Sequence, residues 1–449
     1  MKEKVHLIAI GGSVMHNLAL ALNNQGFTVS GSDDQIFEPA KSRLESKGIC
    51  PEKEGWFPDK INENLSLVIL GMHAKGDNPE LIRALELDLK LQSFPEFIAE
   101  QFANQERIVI AGSHGKTSTT SMLMHVFKEL NKSFDYLVGA QLDGFNEMVS
   151  LTNAQFSIIE GDEYLSSCLD LRPKFLHYRP KFAIITGIAW DHYNVFPTYE
   201  LYVQSFIDFI ESMPRNGTLV YYDGDNDLVK IVHDYGAHLH CIPYHEADYI
   251  IQADGNYLLN DKACYKLEIF GKHNFQNLNA VLKICKVLEF DENLTCQALS
   301  SFKGAAKRLE LIYQDKKRTV YQDFAHAPSK VKATMNAIRE NFPDKNILCF
   351  LELHTYSSLN KNFIVQYKNS LKEINKAIIF YDKKALEIKK MEIMSDEFIQ
   401  DSFGSKEIEI VNDAEKLKQL IQSNRENYDL TLFLGSGNWG GNDIKSLSI

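Results

Sequence analysis

The segment Gly112-Ser113-His114-Gly115-Lys116-Thr117-Ser118 constrains this chain more than any other. It follows a β-rich run, Arg107 to Ala111, and precedes a helical pattern from Thr117 to about Asn131. A G-x-x-G-K-T-S turn between a strand and a helix is a short relative of the Walker phosphate loop. Backbone N–H groups and the positive helix end then cradle phosphates, Lys116 holds the β and γ phosphates, and the Thr117 hydroxyl binds Mg²⁺. The alternative is an incidental glycine turn, and the placement between strand and helix argues against it.

The alternation extends along the whole chain. Val5 to Ile10 is an apolar strand that runs into Gly11-Gly12-Ser13 and a helix from Met15 to Gln25, the opening of a Rossmann-like unit. Further strands are expected at Phe27–Ser30 and Leu67–Leu70, then at Phe156–Glu160 and Phe182–Ile188 around the phosphate loop. From Thr319 onward come Val320–Asp323, a helix after Pro328, Ile347–Leu353, Lys376–Tyr381, Ile408–Val411 and Leu430–Leu434. The expected fold is α/β in three domains: Rossmann-like over 1–105, a central P-loop ATPase-like sheet over 106–310, and a smaller Rossmann-like α/β domain over 311–449.

With 449 residues, 44% hydrophobic and 24% charged, the chain has the composition of a globular protein. Its net charge of -12 argues against nucleic acid or an anionic membrane as partner, since both demand a cationic surface. Seven scattered cysteines without a C-x-x-C pair read as free thiols. The start, MKEKVHLIAIGG, lacks a signal-peptide pattern, and no apolar run is long enough to span a bilayer, so the expected compartment is the cytoplasm.

Acidic residues at strand ends supply the next candidates. Glu160-Gly161-Asp162-Glu163 and Asp191-His192 each follow a strand at the crevice end of the sheet, where hard oxygen ligands for magnesium are required. Alone, each would read as a solvated loop. Asn274 and Asn277, three apart in a helix that continues through Leu288, are placed to read one ring edge, with N-terminal capping as the plainer role. Gly11-Gly12-Ser13 is a weak signal that lacks G-x-G-x-x-G, so a nicotinamide site is not well supported, and a diphosphate at the helix start stays open.

In this order, the phosphate loop, Glu160 with Asp162 and Glu163, Asp191-His192, the H-N-x-x-N helix, Lys307-Arg308 and Asp323-Phe324-Ala325-His326 resemble the Mur ligase family. The opening I-A-I-G-G-S-V-M and the later S-G-S-D resemble the branch that accepts UDP-N-acetylmuramate. No lysine stands between His192 and Lys230, where other branches carry a carbamylated one. Arg172 to Pro180, D-F-A-H-A-P and Ser436-Gly437-Asn438-Trp439-Gly440-Gly441 resemble the branch that adds a preformed tripeptide recovered from cell-wall turnover. Departures are Gly187 for Asn, Ala189 for Glu, Ala327 for His, and Glu352-Leu353-His354 for E-P-R.

The resemblance implies an ATP-dependent ligase that joins the lactyl carboxylate of UDP-N-acetylmuramate to the amine of the murein tripeptide L-Ala-γ-D-Glu-meso-diaminopimelate through an acyl phosphate. L-alanine is the alternative amine, and a non-catalytic nucleotide-sugar sensor is the alternative of another class. Lys116, Glu160, His192 and His326 would carry the chemistry, with Mg²⁺ on Thr117, Glu160 and His192. ATP would meet Gly112 to Ser118, Asn274, Asn277, Arg308 and Asp323. The substrates would meet Gly12, Ser13, Asp33, His73, Asp162, Glu163 and His354. The third domain is expected to close over ATP about a joint near Glu310, keeping water from the acyl phosphate.

Overall fold

The computed structural model describes residues 3–142, 144–190, 195–260, 263–305, 307–388 and 392–448. The motif residues Asp191 and His192 lie outside them. The chain forms two compact units: Met1–Asp191, Val195–His245 and Asn277–Leu299 in the first, Glu246–Gln276 and Ser300–Ile449 in the second.

Two sheets build the first unit. One is wholly parallel, in the order Thr28–Ser32, Lys4–Ile8, Leu67–Leu70, Leu91–Ser93. Its first strand lies between the next two, so the crossovers diverge there and open a crevice at the strand carboxyl ends. The other runs His240–Tyr244, Thr218–Tyr222, Phe182–Ile185, Glu106–Ala111, Phe156–Glu160, Phe134–Leu137, Val149–Ser150, with only the last antiparallel. The strand that feeds the phosphate loop is central, which explains its unbroken apolar run: both of its faces are covered. One apolar core joins the two sheets, running from Val5 and Leu7 through Phe97 and Phe102 to Val109 and Ile159.

Polar contacts also hold this unit together, one between the two sheets' elements and one within the larger sheet. Asn17 accepts from the Met148 N–H at 3.0 Å. Asp135 gathers the Gln105 amide, the Ser150 hydroxyl, the Thr152 N–H and hydroxyl, and the Ala154 N–H on its two oxygens at 2.6 to 3.2 Å.

The second unit holds a mixed sheet in the order Glu310–Gln314, Thr319–Asp323, Leu430–Leu434, Ile347–Glu352, Lys376–Phe380, Glu409–Val411, antiparallel only at the first strand. Ile347, Cys349 and Leu351 enter the core on one face, Leu348 and Phe350 that on the other, as the period of two requires. A three-stranded antiparallel sheet, Tyr249–Gln252, Gly255–Asn260 and Ala263–Leu267, rests on the helix Pro328–Asn341 through Tyr249 to Glu340 at 2.7 Å and Asn256 to Asn341 at 2.9 Å.

The strand expected over Phe182–Ile188 stops at Ile185, because Thr186 and Gly187 turn back on the phosphate loop. The helix Phe94–Gln101 precedes the strand of the phosphate loop, and Ser93 and Glu96 form a capping box at its start. All seven cysteines are free thiols. Among the described residues no helix is long and apolar enough to cross a membrane.

Candidate active site

The phosphate loop opens directly into the helix Lys116–Glu129. Gly115 stands at its N-cap with φ +79°, in the left-handed region, and a methyl group there would collide with the Asn277 amide. Both constraints demand glycine. The Ser113 N–H and hydroxyl donate to the Gly187 carbonyl at 2.9 and 3.2 Å, and the Thr186 hydroxyl bonds the His114 carbonyl. The loop is thereby tied to the end of the neighbouring strand. Ser118 is buried in the first turn of the helix.

Lys116 places its ammonium 2.6 Å from the Gly112 carbonyl and 2.6 Å from Glu163, whose side chain is fully buried. Burial would lower the pKa of Lys116. The carboxylates of Glu163, Asp162 and Glu160 outweigh it and raise the value. Glu163 also accepts from the Tyr202 hydroxyl at 3.2 Å. The Thr117 hydroxyl donates to Glu160 Oε1 at 2.8 Å, while the Gly139 N–H holds Oε2 at 2.9 Å. A hydroxyl and a carboxylate oxygen so placed are hard donors of the kind Mg²⁺ takes. Asp162 is paired with Lys174 at 2.6 Å; burial raises its pKa, and the ammonium more than reverses that.

At the carboxyl ends of the first sheet, Gly12 caps the helix Ser13–Asn24 and Ser13 is exposed in its first turn. Asp33 accepts the Gly11 N–H at 2.7 Å and the Asp34 N–H at 2.9 Å. Its pKa is pushed up to about 6, first by burial, with the Gly11 N–H opposing and Asp34 adding. His73 is open to solvent at its rim, yet the surrounding protein, and then the Lys174 ammonium, lower its pKa. The crevice thus collects the four sugar-side candidates from three strand ends.

In the second unit, the Asn274 amide donates to the Phe270 carbonyl at 2.9 Å. Asn274 and Asn277 share the helix Lys272–Val287, but their amides have different neighbours: Phe270 for the first, Gly115 for the second. Asp323 binds the Leu309 and Ala325 N–H groups at 2.7 Å each, so its two oxygens organise the backbone on both sides. The Arg308 guanidinium lies over the Phe324 ring at 4.5 Å. His326 Nδ1 sits 2.8 Å from the Phe324 carbonyl. Beside His354, the buried Glu352 accepts from the Gly437 N–H at 3.0 Å and the Trp439 N–H at 2.8 Å. The loop after one strand is therefore fixed to the turn after its neighbour.

Sequence reasoning passed over Thr186, Gly139, Tyr202 and Lys174. Thr186 stands at a strand end beside the loop, a position that could have drawn notice; the others arrive only through folding.

Residues 4–106 match the Mur ligase family, catalytic domain; residues 110–285 match the Mur ligase middle domain; residues 307–437 match the Mur ligase, glutamate ligase domain. The chain belongs to the Mur ligase family. Members of this family are ATP-dependent amide or peptide ligases, and so is this chain. It is 31% identical to the UDP-N-acetylmuramate–L-alanine ligase of Clostridium botulinum, over 97% of this chain and 95% of that protein. It is also similar to two crystal structures. One is the UDP-N-acetylmuramate:L-alanyl-γ-D-glutamyl-meso-diaminopimelate ligase of Neisseria meningitides (27% identity, 68% of this chain and 99% of that one, TM-score 0.61). The other is the UDP-N-acetylmuramate–alanine ligase of Thermotoga maritima, with 21% identity, 99% and 97% coverage and a TM-score of 0.72, a likeness of fold.

Proposed function

We propose that this Mur ligase activates the lactyl carboxylate of UDP-N-acetylmuramate with ATP and joins it to the amine of L-Ala-γ-D-Glu-meso-diaminopimelate. The observation that carries the ATP half is the Thr117–Glu160 contact beside the Lys116–Glu163 pair. Thr117 and Glu160 fit Mg²⁺, which when bound would neutralise the β and γ oxygens of ATP. Lys116 would exchange Glu163 for the γ-phosphate. A carboxylate oxygen attacks the γ-phosphorus, the bond to the bridging oxygen breaks, and ADP leaves. The amine then attacks the acyl carbon, loses a proton and expels phosphate. In this reading residues 1–105 hold the nucleotide sugar, 106–310 the ATP and 311–449 the amine.

For the tripeptide, the support is that Ser436–Gly441, which resembles the tripeptide-adding branch, is fixed through Glu352 to the strand end that carries the departing Glu352-Leu353-His354. The specific observation favouring L-alanine is the name of the Clostridium botulinum relative. An assay offering both amines with UDP-N-acetylmuramate, ATP and Mg²⁺, with products read by mass, decides between them. Tripeptide product is expected; exclusive L-alanine product replaces the reading. No amine-dependent phosphate release with either would favour a nucleotide-sugar sensor.

A further inference from the structure

The segment Arg172 to Pro180 has no part in the chemistry above, yet the fold returns its lysine to the acidic end of the phosphate site. After Glu160 the chain leaves the sheet and doubles back. The Lys174 N–H donates to the Tyr164 carbonyl at 2.9 Å, the Phe175 N–H to the Asp162 carbonyl at 3.2 Å, and the Ser166 N–H to the Arg172 carbonyl at 3.0 Å. Phe175, fully buried, stacks on Phe209 with ring centres 4.7 Å apart and anchors the return. The backbone of Lys174 is thus held from both sides.

Its ammonium lies 2.6 Å from Asp162 Oδ2, and only 12% of the side chain is exposed. Asp162 is followed by Glu163, which holds Lys116. Cation, carboxylate, carboxylate and cation therefore form a row at one strand end. Lys116 stands on the phosphate loop, and the field of Lys174 reaches His73 on the sugar-side sheet. Neutralising Asp162 is the plain role for Lys174, and it occupies one of three N–H donors. Among the described residues its ammonium makes one other charged or ring contact, with the Tyr164 ring at 5.8 Å. The remaining donors can take a ligand oxygen.

Phosphorylating a carboxylate brings one anion against another, and preorganised cations offset that repulsion where it develops. Lys116 serves the triphosphate. We propose that Lys174 receives the carboxylate of the acid substrate and positions it for attack on the γ-phosphate. This rests on UDP-N-acetylmuramate being the acid.

The test compares binding of UDP-N-acetylmuramate and of UDP-N-acetylglucosamine, which lacks the lactyl carboxylate, by calorimetry on the full-length wild type and on Lys174→Met. Expected is a wild-type preference for the muramate of about tenfold to a hundredfold, the worth of one charge-assisted hydrogen bond, and its loss in the variant through weaker muramate binding alone. Lys174→Arg should recover part of it. A preference equally strong in wild type and Lys174→Met overturns the role of Lys174 and leaves the proposed function standing. A wild type that binds neither sugar nucleotide, or binds both alike, overturns the muramate reading and this inference with it. Because Asp162 loses its partner in Lys174→Met, the same comparison is made on Asp162→Asn/Lys174→Met, which removes both charges. Recovery of the preference there assigns Lys174 to the neutralisation of Asp162 alone.

Discussion

Lys116→Ala takes from the buried Glu163 its cationic partner, so two quantities should change together. Turnover, measured as phosphate release, is expected to fall by at least about 10² to 10³-fold, as when a preorganised charge is removed from a transition state. Stability to urea should fall by about 3 to 5 kcal/mol, the usual result of breaking a buried pair from one side. Adding Glu163→Gln should restore most of the stability and none of the turnover. Asp33 gives a pH prediction. Its folded pKa, about 6, lies above its unfolded value, so between about pH 4 and 6 the folded state binds the extra proton and stability falls as pH rises. Asp33→Asn keeps an acceptor for the Gly11 N–H and should flatten urea midpoints across that window. The residues legible in advance are Thr117, in the first turn of the helix that the phosphate loop opens, and Glu160, at the end of an apolar strand, where position alone directs a side chain into the crevice. Lys174 was not legible as a site residue, because its return to Asp162 depends on Phe175 burying itself in another helix's surface, which no spacing announces.

Among elements, the strand Phe134–Leu137 owes its place to Asp135, on which the Gln105 amide and the segment Ser150 to Ala154 converge. Asp135→Ala leaves several buried donors without an acceptor and should cost about 3 kcal/mol or more, measured as a drop in thermal midpoint with ATP affinity less affected. Central strands were plain in the sequence, since Ile347–Glu352 is buried on both faces and reads as one apolar run. The edge strand His240–Tyr244, partly exposed and carrying Pro243, was not. The hairpin sheet from Tyr249 to Leu267 escaped for a related reason: much of its surface is exposed, so its apolar alternation is weak.

For the whole molecule, a nucleotide that binds only the folded state raises stability by mass action. A non-hydrolysable ATP analogue with Mg²⁺, at about a hundred times its Kd, should add about 2.7 kcal/mol, seen as a higher thermal midpoint. Gly115→Ala, strained in its backbone and crowded by Asn277, should show little of that rise. Three domain matches along one chain agree with the repeated strand-and-helix alternation of the sequence. The grouping into two compact units was not foreseen, because chain order does not reveal that the helix Lys272–Val287 contributes residues to both. The Lys116–Glu163 pair also bears on inhibitor design. A phosphate mimic must compete with an anion that the protein carries itself, and it leaves that anion stranded in a dry interior. A compound pairing an acidic group for Lys116 with a donor for Glu163 answers both demands, and this geometry rewards that bifunctional form over a simple triphosphate surrogate.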